Sequence, residues 1–357
     1  MTGLFGNIAG AKPDPFAAFH GNAVAVRTLR RMLAEQRIPQ TILLHGAEGA
    51  GKATLARRFA AALLGDPHKI ELDDQSLEPN RELIAEREKL PSDKRNDDPL
   101  MFASHPDFVT FPPDGPLRQL SIPQMRLFKE RAQYKPLKGA KRVFLLDHID
   151  RANEQAANSL LKTLEEPPDH LIVVMTAENA YDLLPTIRSR AVHFPLVPLA
   201  PAEMRAFLAT RPDVDRLEKR LALACGSPGL ALSLDIDAFD KRRTAMLTLL
   251  KVGARQAPFA HWVKFSEGLS ASKTDKLDHY LRVLYVLLED LLRLTQGATV
   301  AQNTDIATEL VPLAQAVSFA WLQQAVKLTD ELVGAVRRNV QKSLAFDAFA
   351  VKLQGLR

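Results

Sequence analysis

The sequence Lys-Arg-Val-Phe-Leu-Leu-Asp-His-Ile-Asp at residues 141–150, followed by Leu-Ile-Val-Val-Met at residues 171–175, decides the fold. Both stretches contain continuous apolar runs without alternation, as in strands that are buried on both faces of a parallel sheet. Between them, apolar residues recur at helical spacing over residues 156–164, and Pro167 prevents that helix from continuing. This strand-helix-strand unit predicts an α/β core with a parallel sheet, which binds ligands at the carboxyl ends of its strands, where Asp147 stands.

A second stretch, Gly-Ala-Glu-Gly-Ala-Gly-Lys-Ala-Thr at residues 46–54, has the features of a phosphate-binding loop. It follows an apolar run at residues 41–45, which predicts a strand, and it precedes a helical segment that extends to Leu64. Such a loop needs glycines that let backbone N–H groups turn inward, a helix N-terminus and a lysine that reaches the terminal phosphates. The candidate nucleotide-binding residues are Gly46, Gly49, Gly51, Lys52, Thr54 and Asp147.

The loop departs from the full pattern at its metal position. A Ser or Thr directly after the lysine normally holds Mg²⁺, whereas this chain has Ala53, and Thr54 is one place out of register. The sequence leaves two alternatives: the chain binds ATP passively without hydrolysing it, or the loop is a relic that only shapes the turn. A chance glycine-rich turn is the third and weaker reading.

Composition bounds the class of protein. The chain has 357 residues, of which 46% are hydrophobic and 25% charged, and this indicates a soluble protein of two or three domains. Because it has no apolar run of about 18 residues and no signal-like start, we expect a cytoplasmic protein without a membrane partner. The net charge of +5 is compatible with nucleic acid nearby, and equally with an ordinary basic surface.

Cysteine usage bounds the metal chemistry. The single cysteine, Cys225, excludes an internal disulfide and a thiolate metal site, and we expect it to be a small buried residue. Residues 66–104 contain no cysteine, so we expect no zinc and no other metal site.

The sequence divides into three segments: residues 1–198 form the nucleotide-fold core, residues 199–235 a small helical lid, and residues 236–357 an all-helical domain. Within the core, residues 66–104 form an insertion. Residues 66–98 of it carry 11 acidic against 6 basic side chains and few large apolar ones. This composition predicts a solvated, partly mobile segment with one short helix.

A resemblance to a known family becomes specific at residues 156–168, Ala-Ala-Asn-Ser-Leu-Leu-Lys-Thr-Leu-Glu-Glu-Pro-Pro, and at residues 186–190, Thr-Ile-Arg-Ser-Arg. These motifs closely resemble the AAA+ clamp-loader subunits of bacterial DNA polymerase III. His105-Pro106-Asp107 and residues 339–349 look most like one subunit type of that family. The resemblance covers nearly the whole chain outside the insertion. It implies a P-loop AAA+ core with a parallel sheet, a small helical lid and an all-α C-terminal collar domain for oligomerisation.

The family also implies partners and a reaction. Five subunits, including gamma/tau and delta, form a pentameric ring that opens the sliding clamp and places it on primed DNA. The ATPases of the family carry two acidic residues at the end of one strand, and this chain has Asp147-His148 there. They also carry a sensor arginine where this chain has Gly229 and Leu230. With Ala53, these departures remove the magnesium hydroxyl, the water-polarising acid and the sensor, so we expect no ATP hydrolysis by this chain.

The resemblance gives Arg190 a role in trans. In the family, the arginine at the Ser189-Arg190 position lies at the subunit edge and reaches into the neighbour's ATP site as an arginine finger. Without the resemblance, a surface salt-bridge arginine is the simpler interpretation. For the whole chain, the alternative is an ATP-hydrolysing gamma/tau-like subunit or another AAA+ ATPase, in which His148 would serve as the base.

Overall fold

The computed structural model describes residues 14–211, 214–271, 277–300, 302–336 and 341–355. The chain divides into two compact units, which we call unit 1 (Met1–Thr210 with Gly226–Leu230) and unit 2 (Arg211–Cys225 with Ala231–Arg357). The segment predicted as a lid contributes residues to both units. The three-part division into core, lid and collar stays a prediction.

Unit 1 contains a six-stranded sheet in the order β2-β3-β4-β5-β1-β6. Its strands are β1 (Thr41–His45), β2 (Phe102–His105), β3 (Phe108–Phe111), β4 (Arg142–Leu146), β5 (Leu171–Ala177) and β6 (Val192–Pro195). Neighbouring strands are parallel, except that β2 pairs with β3 in the antiparallel sense. The predicted α/β core with a parallel sheet is confirmed. Because β5 lies between β1 and β4, the loop after β1 and Asp147 after β4 flank the end of β5.

Helices cover both faces of this sheet. They are α1 (Ala23–Ala34), α2 (Lys52–Leu64), α3 (Pro67–Glu71), α4 (Glu78–Lys89), α5 (Ser92–Asp97), α6 (Ile122–Ala132), α7 (Glu154–Glu165), α8 (Pro185–Arg188) and α9 (Pro201–Ala209). Alternate residues of each central strand enter different cores: Phe144 packs with the residues of α6 and α7, whereas Val143 and Leu145 pack with those of α1 and α2. Burial on both faces explains why these strands read as continuous apolar runs.

Helix α7 has a side-chain cap at its start and ends where the sequence predicts. The Asn153 side chain accepts a hydrogen bond from the backbone N–H of Ala156 at 2.8 Å, which satisfies one of the free donors of the first turn. The helix ends at Glu165, and Glu166 separates it from Pro167 and Pro168. This cap and stop fix the position of Glu165 at the carboxyl end of the helix.

The insertion contains three helices, α3, α4 and α5, where the sequence predicts one, and most of residues 66–98 are exposed to solvent, as predicted. Several of its acidic side chains nevertheless pair with arginines. Arg57 of α2 pairs with Glu71, at 3.0 Å, and with Asp74. Buried Arg87 pairs with buried Asp114 at 2.8 Å. Since buried charges are stable only when paired and hydrogen-bonded, these ion pairs hold the buried part of the insertion in place.

Unit 2 is helical throughout its described residues. Its helices are α10 (Leu217–Ala224), α12 (Ile236–Gly253), α13 (Phe259–Ala271), α14 (Leu277–Thr295), α15 (Ala307–Ala316), α16 (Phe319–Val336) and α17 (Lys342–Gln354), and α11 (Pro228–Ser233) begins in unit 1. The core surrounds Trp262, Phe346 and Phe349. No helix in the described part of the chain is long and apolar enough to cross a membrane.

Asn339 and Val340 of the family-like segment lie outside the described residues, and α17 begins at Lys342. One sequence expectation for unit 2 was wrong. Cys225 was expected to be buried and is exposed. It occupies the C-cap of α10 with φ of 47°, so the chain turns away from the helix at this residue.

Candidate nucleotide site and Arg190

The loop between β1 and α2 has the backbone of a phosphate-binding loop. Gly49 and Gly51 have φ of 72° and 91°, in the region that favours glycine. A Cβ atom on Gly46 would lie 2.2 Å from the carbonyl oxygen of Leu196, so the close approach of these two backbone segments requires glycine there. Helix α2 starts at Lys52 and carries Thr54 in its first turn, so five of the six predicted nucleotide-binding residues lie together.

The ammonium group of Lys52 is bound by the loop itself. Lys52 is buried, and its Nζ donates hydrogen bonds to the carbonyl oxygens of Gly46 at 2.6 Å and Ala47 at 2.9 Å. Burial lowers the pKa of Lys52, and the carboxylates of Glu178 and Asp147 oppose that shift. Two of the three N–H donors of this lysine are thus occupied by loop carbonyls.

Residues 226–230 lie directly on the loop. The Ser227 hydroxyl donates to the carbonyl of Glu48 at 2.7 Å, and the backbone N–H of Gly229 donates to the carbonyl of Gly49 at 2.8 Å. A Cβ on Gly229 would lie 2.9 Å from the Cα of Gly49. Of the two places predicted to correspond to the family's sensor arginine, Gly229 and Leu230, Gly229 therefore has no room for a side chain.

Asp147 directly follows β4, and each of its carboxylate oxygens accepts a hydrogen bond. The Thr176 hydroxyl of β5 donates to Oδ1 at 2.5 Å, and the side-chain nitrogen of Gln75 donates to Oδ2 at 2.6 Å. Sequence reasoning missed both partners. Thr176 is a polar residue in an otherwise apolar strand, and this was a usable signal. Gln75 belongs to the insertion, and nothing near it in sequence points to Asp147.

Next to Asp147, three side chains form a group that could hold a divalent ion. One ligand atom each from His148, Asp150 and Glu178 lie within 4.8 Å of one another. Imidazole and carboxylate groups bind several divalent metals. The guanidinium of Arg151, however, lies 3.2 Å from Glu178 and brings a positive charge to the same place. The sequence analysis did not foresee this group, and its expectation of no metal site stays a prediction.

Arg190 follows Ser189, the C-cap of α8. Its Nη1 donates to the carbonyl of Thr186 at 2.6 Å, and its Nη2 donates to Oε1 of Glu165 at 2.5 Å. The side chain is 31% exposed. Among the predicted site residues, Arg190 therefore has its partners on α7 and α8. Lys52 and Asp147, by contrast, are close enough for their charges to interact.

Comparison with known proteins identifies the family. Residues 21–200, about half of the chain, match the family model described as DNA polymerase III, delta subunit. The chain belongs to this family. Family membership confirms the assignment that the motifs at residues 156–168 and 186–190 suggested.

Individual relatives of this DNA polymerase III family carry two subunit names. The chain is 32% identical over 230 residues to DNA polymerase III subunit delta' of Escherichia coli (strain K12), covering 63% of this chain and 66% of that protein. It is 30% identical over 204 residues to the gamma/tau subunit of Mycobacterium tuberculosis (strain H37Rv), covering 56% and 31%. The chain therefore spans just under two thirds of the length of that delta' relative and about a third of the gamma/tau relative.

Proposed function

We propose that this chain is a delta'-type subunit of a cytoplasmic DNA polymerase III clamp loader. It joins gamma/tau and delta subunits in a pentameric ring that opens the sliding clamp and loads it on primed DNA. It does not hydrolyse ATP, so it has no catalysis of its own within the holoenzyme. Its contribution is structural, and it supplies Arg190 as an arginine finger to the ATP site of a neighbouring subunit.

The proposal that this chain does not hydrolyse ATP rests on the loop at residues 46–54, whose carbonyls bind Lys52. Phosphoryl transfer depends on positioning and electrostatics, with the lysine and metal ligands aimed at the phosphates. Here Lys52 donates to its own loop carbonyls, and each carboxylate oxygen of Asp147 accepts a hydrogen bond, from Thr176 or Gln75. ATP that binds passively would compete with these contacts. Hydrolysis would also need a water-polarising acid, and His148 stands at that position.

The chemistry of Arg190 supports its proposed role in trans. A guanidinium is permanently charged and planar, and it binds phosphate oxygens in pairs. Two of its five N–H groups are used by Thr186 and Glu165, so further donors are available to a partner. A trans-acting arginine raises the rate of phosphoryl transfer by roughly 10³ to 10⁵ in related systems.

One observation favours the second candidate, an ATP-hydrolysing gamma/tau-like subunit or another AAA+ ATPase. The gamma/tau relative is nearly as similar to the chain as the delta' relative. In this alternative His148 would serve as the base, with its Nδ1 3.9 Å from the Glu178 carboxylate. ATP turnover by the purified chain distinguishes the two candidates, because only the second predicts it.

The test of the first candidate is Arg190→Ala and Arg190→Lys in the reconstituted complex with clamp and primed DNA. We expect both variants to assemble normally in size-exclusion chromatography and to slow steady-state ATP hydrolysis and clamp loading. Arg188→Ala is the matched control, because Arg188 is an arginine two residues before Arg190 whose guanidinium lies 4.8 Å from the ring centre of Tyr181. Full activity with Arg190→Ala in an intact complex would leave only a scaffold role.

A further inference from the structure

The ion pair between Glu165 and Arg190 joins two parts of the chain that are 25 residues apart. Glu165 is the last residue of α7, and Arg190 follows α8. The Glu165 carboxylate holds one terminal nitrogen of the guanidinium, and the Thr186 carbonyl holds the other. Two acceptors on different nitrogens fix both the position and the plane of the group.

The location of Glu165 is unfavourable for its own helix. The carboxyl end of a helix carries partial negative charge, so a carboxylate there lowers helix stability. The pair also contributes little to folding, because its side chains are 47% and 31% exposed and exposed ion pairs are weak. Neither helix formation nor the stability of the fold accounts for an acid at this position.

We propose that Glu165 is a positioning residue for Arg190. It holds the guanidinium so that the remaining N–H donors face outward, ready to meet phosphate oxygens on a neighbouring subunit. This inference rests on the proposed function of Arg190. A long side chain that is fixed beforehand loses less conformational freedom on reaching the transition state, and this pre-organisation speeds the reaction.

The proposal predicts a specific kinetic pattern. Because a trans-acting arginine stabilises charge that develops in the transition state, loss of its positioning lowers kcat and leaves the KM for ATP unchanged. We expect Glu165→Ala to lower kcat of the reconstituted complex about 3- to 10-fold, less than Arg190→Ala does. Glu165→Gln keeps an oxygen acceptor without the charge, so its loss should be smaller than that of Glu165→Ala.

The matched control is Glu166→Ala, which removes the same charge from the adjacent exposed residue. It should leave kcat unchanged. The decisive variant is Glu165→Ala combined with Arg190→Ala, measured beside both single variants with clamp, primed DNA and ATP. If Glu165 acts only through Arg190, the double variant is as slow as Arg190→Ala alone.

The outcomes separate this inference from the function on which it rests. Full activity of Arg190→Ala overturns the proposed function itself. A slow Arg190→Ala with an unimpaired Glu165→Ala overturns only the positioning role. Losses that multiply in the double variant, or a change in KM rather than kcat, also overturn it. Size-exclusion chromatography and circular dichroism of each variant exclude misfolding as the cause.

Discussion

Gln75 donates a hydrogen bond from its side-chain nitrogen to Oδ2 of Asp147 at 2.6 Å. The insertion thereby supplies a neutral donor to the aspartate that the fold places beside the phosphate loop. A magnesium ion that took Oδ2 as a ligand would compete with this amide. The insertion is thus an integral part of the candidate site.

We expect Gln75→Glu to destabilise unit 1 more than Gln75→Ala does. The new carboxylate would face Asp147 at hydrogen-bond distance, and two like charges cannot both ionise there without cost. At pH 7.5 the loss for Gln75→Glu should be about 1–3 kcal/mol, whereas Gln75→Ala loses one hydrogen bond, about 1 kcal/mol. At pH 5 the Gln75→Glu variant should regain stability, because the two facing carboxylates then share a proton in the folded state.

Urea unfolding followed by far-UV circular dichroism measures both units, whereas tryptophan fluorescence reports on unit 2. Both tryptophans of the chain, Trp262 and Trp321, belong to that unit. The Gln75 variants should shift the dichroism transition and leave the fluorescence transition in place. Equal midpoints for the Glu and Ala variants at both pH values would contradict a contact between Gln75 and Asp147.

We expect Lys52→Ala to leave ATP hydrolysis by the reconstituted complex within about twofold of the native rate. The Lys52 ammonium is occupied by carbonyls of its own loop, and the proposed role of the chain does not use it. Calorimetry of the isolated native chain should detect either no ATP binding or binding without turnover. ATP turnover by the isolated chain that disappears in Lys52→Ala would establish the hydrolysing alternative instead.

The central part of the fold was predictable because its signals are local. β4 and β5 are continuous apolar runs, α7 has an Asn cap and a proline stop, and the loop before Lys52 has its glycines at fixed spacing. Each feature depends on residues that are neighbours in sequence. The edge strand β6 was missed because it is four residues long and contains Pro195, which only an edge strand tolerates.

The contacts that define the candidate site were not predictable, because they join distant segments. Gln75 meets Asp147 across 72 residues, and Ser227 meets Glu48 across 179. The order of the insertion likewise depends on ion pairs such as Arg87 with Asp114, which composition cannot reveal. Motifs indicated the candidate residues, and only the tertiary structure showed what each of them contacts.

A pH-dependent loss of stability should arise from His105. This histidine is buried, and its Nδ1 accepts the backbone N–H of Asp107 at 3.1 Å. Burial lowers the pKa of His105 in the folded chain. The unfolded chain therefore binds a proton first, near pH 6.5, and stability falls as the pH drops below that value.

The variant that tests this is His105→Asn, because asparagine can accept the same backbone N–H without titrating. We expect the difference in urea midpoint between pH 7.5 and pH 5.5 to be smaller in His105→Asn than in the native chain. His68→Asn replaces an exposed histidine of the same unit and should keep the native pH dependence. Identical pH dependence in the native chain and His105→Asn would show that His105 contributes nothing.

Gly229 lies against the phosphate-binding loop and leaves no space for a side chain. A Cβ there would lie 2.9 Å from the Cα and 3.0 Å from the carbonyl oxygen of Gly49. These are backbone atoms of the loop, so they cannot move aside as a flexible side chain would. Gly229→Ala should therefore destabilise unit 1 by about 1–3 kcal/mol, as overpacking does. Gly139→Ala is the control, because a Cβ on that glycine meets nothing within 4 Å.

The same geometry decides what Gly229→Arg can do. If only the missing side chain prevented hydrolysis, restoring the arginine, together with Ala53→Thr, would restore part of it. We expect no ATP turnover by the isolated double variant, because the new side chain must first push residues 226–230 off the loop and break the hydrogen bond from Gly229 to Gly49. Hydrogen exchange should then show the Gly49 region opening. Measurable turnover in a variant that keeps native exchange protection would contradict this account, and would mean that the loop is poised for catalysis.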